Sequence, residues 1–216
     1  MTSIFESKAT VENPGLRTYR GTDCIVFNKT REAFGGLSNM AAGYPLRINR
    51  TRVPTTEALY QACRFPHMPA VQDLIIRQSS PMTAKMKSKP HREKTREDWD
   101  QVRVPIMKWC LKVKLAEHFT TFGNLLLSTF DKPIVELSRR DDFWGAVALD
   151  DGETLRGANV LGRLLMDIRE RLKKDPTEFR VVLPLPIPDF LLLGEEIQQI
   201  GRMIEDESEL LRAARA

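Results

Sequence analysis

The 216-residue sequence is poor in cysteine and histidine and has no long apolar run, and each shortage removes a class of chemistry. Its three cysteines, Cys24, Cys63 and Cys110, are odd in number and contain no CxxC pair. Each lies among apolar neighbours, where a free thiol behaves as a small buried hydrophobe, so a disulfide framework and a thiolate zinc site are both disfavoured. The three histidines, His67, His91 and His118, are far apart and show no HExxH spacing. No metal-ligand set is therefore expected. No stretch approaches the ~20 apolar residues of a membrane span, and residues 1–15 lack the basic-then-apolar pattern of a secretory signal. The expectation is a cytoplasmic protein, reduced, without metal, resident cofactor or membrane partner.

What is present is ordinary for a globular chain: 42% hydrophobic and 29% charged residues, with 33 basic against 29 acidic side chains and a net charge of +4. A mildly basic balance suits nucleic acid or phosphorylated small molecules without requiring either. The densest basic stretch, from Lys85 to Arg103, also carries Glu and Asp and reads first as a solvated face, second as a phosphate patch. The length fits one domain with some excess.

The pattern along the chain is mainly α, a helical single domain with a few short strands. Asp23 to Asn28 reads as a strand, and Tyr44 to Pro54 as a hairpin turning at Asn49-Arg50. Thr55 and Thr56 are N-cap candidates for a helix that ends before Pro66. Pro69 opens a second helix and Ser80-Pro81 a third. Trp99 to His118 is long and apolar on much of its circumference, hence central, with Pro105 expected to kink or restart it. Gly123 to Phe130 gives a short helix. Ala158 to Lys174 is the clearest, with Leu161, Leu164, Leu165, Ile168 and Leu172 on one face. Residues 1–20 read as a loose segment. Residues 175–216 read as an extension with a proline-rich stretch and a final helix from Glu195 to Arg215, too aliphatic for a flexible linker.

Four local features carry possible chemistry, each with a bland alternative. Lys114 lies inside the buried long helix, where it must snorkel, pair with an acid or serve a site. Glu57, Gln61 and Arg64 share one helix face, at a cleft edge or in open solvent, with Glu57 also favoured by the helix dipole. Asp142-Phe143-Trp144-Gly145 is either a ligand loop, with Trp stacking a base beside an acid, or an Asx turn with two core aromatics. Gly157 to Gly162 (GANVLG) enters the best helix. It offers backbone N–H groups to a phosphate, or else Asn159 is a cap and Gly162 a close packing point.

In order, LSNM (37–40), TTEALYQACRF (55–65), SSPMTAKM (79–86), REDWDQV (96–102), IMKWCLKVKL (106–115), IVELSRRDDFWG (134–145) and GANVLGRLLMDIRERL (157–172) resemble the NADAR (YbiA-like) family over roughly Asp23 to Lys173. The DxxWG-like DDFWG followed by GxNxLGxxLMxxR is the most specific pair. The resemblance implies a YbiA-like domain over 21–174 that hydrolyses N-glycosidic bonds. One branch of the family acts on phosphoribosyl pyrimidines of riboflavin synthesis, and another removes ADP-ribose from guanine in nucleic acid. It implies Glu57, Asp142 and Lys114 as catalytic candidates, and Asn39, Gln61, Lys85, Trp144, Gly145, Gly157, Asn159 and Gly162 as substrate-binding ones. Met40, Ala58 and Lys87 depart from the usual motifs on the base-recognition side. The expected activity is removal of ADP-ribose from guanine in DNA or RNA, with the riboflavin intermediates as the alternative and a non-catalytic ADP-ribose or NAD sensor as a third. The oligomeric state stays open.

Overall fold

A short antiparallel sheet begins the fold: β1 (Arg17–Arg20) pairs along its length with β7 (Thr154–Gly157), which also pairs with β6 (Val147–Ala148). The computed structural model describes residues 15–201. The expected loose segment therefore meets a strand at Arg17–Arg20, and its first fourteen residues lie outside the described part. β2 (Ile25–Phe27) runs parallel to β5 (Ile134–Glu136). β3 (Leu46–Ile48) and β4 (Thr51–Val53) form the expected hairpin, with Asn49 and Arg50 at φ 48° and 68°. Two consecutive left-handed residues give the turn whose twist matches the flanking strands.

The helices follow the apolar periodicity. Thr55 caps α1 (Thr56–Ala62) by accepting the Ala58 N–H at 3.2 Å, and Ser80 caps α3 (Pro81–Ser88) by accepting that of Thr83 at 3.3 Å. Between them α2 (Pro69–Ile76) starts on its proline. α4 (Trp99–Glu117) is one unbroken helix through Pro105. Pro105 and Gln101, whose carbonyl loses its partner, are both exposed, so water satisfies what the ring removes. α5 spans Phe119–Leu127, earlier than the pattern suggested, and α6 spans Val160–Lys174. Ile106, Trp109, Cys110, Leu111 and Val113 of α4 are almost fully buried between α1, α5 and α6, together with Leu59, Phe122, Leu165 and Ile168.

The chain after α6 is folded onto this body. Gln72 Nε2 donates to the Leu191 carbonyl at 2.9 Å and its Oε1 accepts from the Leu193 N–H at 2.6 Å. Trp109 donates to the Leu183 carbonyl at 3.0 Å and stands edge-on to Phe190. A helix from Glu195 is not what forms here. β10 (Glu195–Glu196) pairs with β9 (Leu191–Leu192), and β11 (Ile200–Gly201) with β8 (Val181–Val182). Ile197 and Ile200 are buried by these pairings, a tertiary gain that outweighs helix propensity. The rest of the expected helix lies outside the described residues. Among the described residues no helix is long and apolar enough to cross a membrane.

Candidate active site

Glu57 stands in the first turn of α1, where the dipole favours a carboxylate, yet only 2% of it meets solvent. Both oxygens are held. Asn39 Nδ2 donates to Oε2, and Gln61 Nε2 donates to Oε1 at 2.9 Å. Gln61 is fixed in turn, its Oε1 lying 2.8 Å from Ser88 Oγ of α3. The Asn39 carbonyl accepts the Glu57 N–H at 3.1 Å, so the loop before β3 and the start of α1 are joined twice. Burial pushes the Glu57 pKa up, while Lys85, the Gln61 hydrogen bond and Arg64 oppose it. Two amide donors match a carboxylate, which only accepts.

Lys114 supports this loop from behind. Its Nζ donates to the carbonyls of Gly36 at 2.5 Å and Ser38 at 3.1 Å, beneath the rings of Tyr44 at 4.2 Å and Phe122 at 4.3 Å. Burial pulls its pKa down to about 7, and the carbonyls and ring faces favour the ammonium. The side chain is wholly buried and does not reach the cavity described next. It positions the segment that carries Asn39.

Asn39, Glu57, Gln61, Lys85 and Trp144, all singled out from sequence, line one cavity of 560 Å³ enclosed by α1, α3, α4 and the loop after β5. One wall is aromatic: the Tyr60 ring centroid lies 5.2 Å from that of Trp99 and 5.7 Å from that of Trp144. Lys29, Arg64, Lys85, Arg92, Arg103 and Arg139 also line the cavity, six cations against the carboxylates of Glu57, Glu136 and Asp141. Arg64 lies over Trp99 at 4.4 Å with its Nε buried and unbonded, and Arg103 lies over Phe143 at 4.0 Å. Such a cavity suits an anionic ligand with a flat ring.

The remaining sequence-named residues stand elsewhere: besides the catalytic role expected of Lys114, which lies outside the cavity lining, the expectations for Asp142 and for the start of α6 need correction. Asp142 is exposed and does not line the cavity; its neighbour Asp141 does. Asp141 Oδ1 accepts the N–H groups of Phe143 at 3.1 Å and Trp144 at 2.9 Å, the Asx turn that aims Trp144. The start of α6 is no phosphate site either. The N–H groups of Ala158, Asn159, Val160 and Leu161 donate to the carbonyls of Asp142, Gly145, Phe143 and Trp144 at 2.6–3.0 Å. The donors that a helix start offers to an anion are thus already used. Asn159, left-handed at φ 46° and fully buried, makes no side-chain cap. Its Nδ2 donates to the Ile134 carbonyl at 2.8 Å and its Oδ1 accepts the Glu136 N–H at 3.2 Å. A methyl group on Gly162 would collide with the Ile134 carbonyl, one on Gly157 with Gly145 and Ala146, and one on Gly145 with the Glu136 carbonyl. Gly145, Gly157, Asn159 and Gly162 together clamp β5 against α6.

That clamp presents a residue the sequence reading passed over. Glu136 ends β5 and lines the cavity. Burial, then Asp141 and Glu57, push its pKa up to about 7 against the pull of Lys85. The signal was a glutamate closing an otherwise apolar strand just before a charged loop. Among the described residues no group of three or more His, Cys, Asp or Glu side chains is arranged to hold a metal ion.

Comparison with known proteins places this chain in a family. Residues 26–173 match the model of the NADAR domain. The chain is 34% identical over 148 residues to the N-glycosidase YbiA of Escherichia coli, covering 68% of this chain and 88% of that protein. It is 32% identical over 152 residues to a riboflavin biosynthesis protein of Vibrio vulnificus, covering 69% of this chain and 39% of that longer one. The NMR structure of Escherichia coli YbiA superposes with a TM-score of 0.59 at 31% identity, over 71% of this chain and 88% of that one.

Proposed function

From the premise that this chain belongs to the NADAR family, we propose that its cavity removes ADP-ribose from guanine bases in nucleic acid, on a YbiA-like helical fold. The coarser activity is that of the family, hydrolysis of an N-glycosyl bond. The observation that carries the reading is Glu57: a buried carboxylate held on both oxygens, facing an aromatic wall and a ring of cations. Cleavage of an N-glycosidic bond passes through an oxocarbenium-like ribose, which needs a fixed negative group and an activated water. Glu57 supplies both, stabilising the developing positive charge and taking the proton of the attacking water. Trp144 and Tyr60 provide a face for the base. Arg64, Lys85, Arg92 and Arg103 receive the diphosphate, for which one phosphate would leave several cations idle. No resident cofactor enters this scheme.

A second reading, a phosphoribosyl pyrimidine of riboflavin synthesis, is favoured by the name of the Vibrio vulnificus relative. The two separate in one experiment. The purified protein is incubated with an oligonucleotide carrying ADP-ribosyl-guanine and, in parallel, with the phosphoribosyl pyrimidine. Release of ADP-ribose, and a markedly slower second reaction, is the expected result; the reverse order would replace the first reading by the second.

A further inference from the structure

We propose that Glu136 is the general acid of this site, protonating the base as it leaves the ribose, with Glu57 as the base on the other side of the reaction. The assignment rests on the glycosidase reading above. Two carboxylates in one cavity take opposite roles when their surroundings separate their proton affinities, and here the surroundings differ plainly. Glu57 accepts hydrogen bonds from Asn39 and Gln61, two donors that favour its anion against the burial that raises its pKa. The Glu136 carboxyl has no hydrogen-bond donor on it among the described residues, and the residue is partly buried. Its backbone is fixed on both sides: the N–H by Asn159 Oδ1 at 3.2 Å, and the carbonyl by the Ala146 N–H at 2.8 Å. The side chain is therefore aimed, yet its oxygens are free for a ligand.

The charged groups that face it are Asp141 from the following loop, Glu57 from α1 and Lys85 from α3. Two anions against one cation, on top of burial, keep a proton on Glu136 into the neutral range. In the reaction the bond from the ribose anomeric carbon to the base nitrogen breaks and its electron pair stays with the base. Glu136 gives its proton to the base, and the water oxygen bonds to the anomeric carbon. Glu57 takes the proton that the water loses. One water is consumed, one ribose hydroxyl and one N–H are formed, and exchange with solvent returns a proton to Glu136 and removes one from Glu57.

The test compares the parent with Glu136→Gln on the ADP-ribosyl-guanine oligonucleotide and on p-nitrophenyl ADP-ribose, whose leaving phenolate needs little protonation. The expected result is a loss of ~100- to 10,000-fold on the guanine substrate and a far smaller loss on the nitrophenyl one. The parent turnover should fall above about pH 7, and this limb should vanish in the variant. Equal losses on both substrates, or a variant that keeps the parental rate and alkaline limb, would overturn the assignment. Parent protein inactive on the oligonucleotide and on the phosphoribosyl pyrimidine would instead sink the glycosidase reading. In that event carboxyl-carbon NMR of labelled glutamate decides the assignment alone. One carboxyl titrating near pH 7 and absent from Glu136→Gln supports an acid poised to donate, and an ordinary midpoint below 5 contradicts it.

Discussion

Asp141 and Asp142 are chain neighbours with unrelated surroundings. Both are exposed, but only the first lines the cavity and ties down two N–H groups. Asp142→Asn should therefore keep kcat/KM within about threefold of the parent, as expected for a group outside the transition state. Asp141→Ala, which removes the Oδ1 that accepts both N–H groups, should lower turnover and loosen the Trp144 loop, and steady-state kinetics on the two variants read the contrast. Trp144→Ala should weaken ADP-ribose binding by ~1–3 kcal/mol by calorimetry, the usual cost of one lost base–aromatic stack. Glu136 adds a pH-dependent effect. Its folded pKa of about 7 lies above that of an unfolded glutamate, so its protonated form stabilises the fold at low pH, and this contribution is lost as pH rises through about 7. Glu136→Gln should then melt higher than the parent at pH 8, with the gap shrinking towards pH 5. At this scale the sequence exposed Glu57, Gln61 and Trp144, because each sits in a local pattern that allowed a functional reading. It hid Glu136, whose significance comes from Asp141, Glu57 and Lys85 on other segments.

Among elements, α6 is where local pattern and tertiary context part. Its periodicity, like the α1 and α3 caps and the Asn49-Arg50 turn, was legible because each depends on residues within a few positions. The use of the N–H groups of Ala158 to Leu161 at its start was not, since their acceptors lie at 142–145, across β6 and β7. The consequence is testable at Gly162. In an exposed helix interior, Gly→Ala stabilises by roughly 0.5–1 kcal/mol. Here the new methyl would strike the Ile134 carbonyl, so Gly162→Ala should lower the melting temperature, and Glu136 should lose its aim with β5. A variant as stable as the parent would show that the β5–α6 contact has slack. The predicted helix over 195–201 failed for the same kind of reason: short-range propensity yielded to pairing with β8 and β9.

For the whole molecule, the cavity is built entirely from residues between Asn28 and Leu161, while the chain beyond Pro184 covers Gln72, Arg96 and Trp109. Truncation before Pro184 should thus act on stability rather than on chemistry. Phe190, Leu192, Ile197 and Ile200 leave the core, at ~1.5–3 kcal/mol for each large apolar side chain. Thermal melts should drop and aggregation rise, with kcat per folded molecule retained. The central claim is that a Glu57 carboxylate, fixed by Asn39 and Gln61, drives hydrolysis of an N-glycosyl bond. The measurement that meets it most directly is single-turnover cleavage of the ADP-ribosyl-guanine oligonucleotide by Glu57→Gln, paired with ADP-ribose calorimetry on the same preparation. Near-parental binding and a rate lower by ~100- to 10,000-fold are expected; a rate within about threefold of the parent would leave Glu57 as a helix-dipole residue.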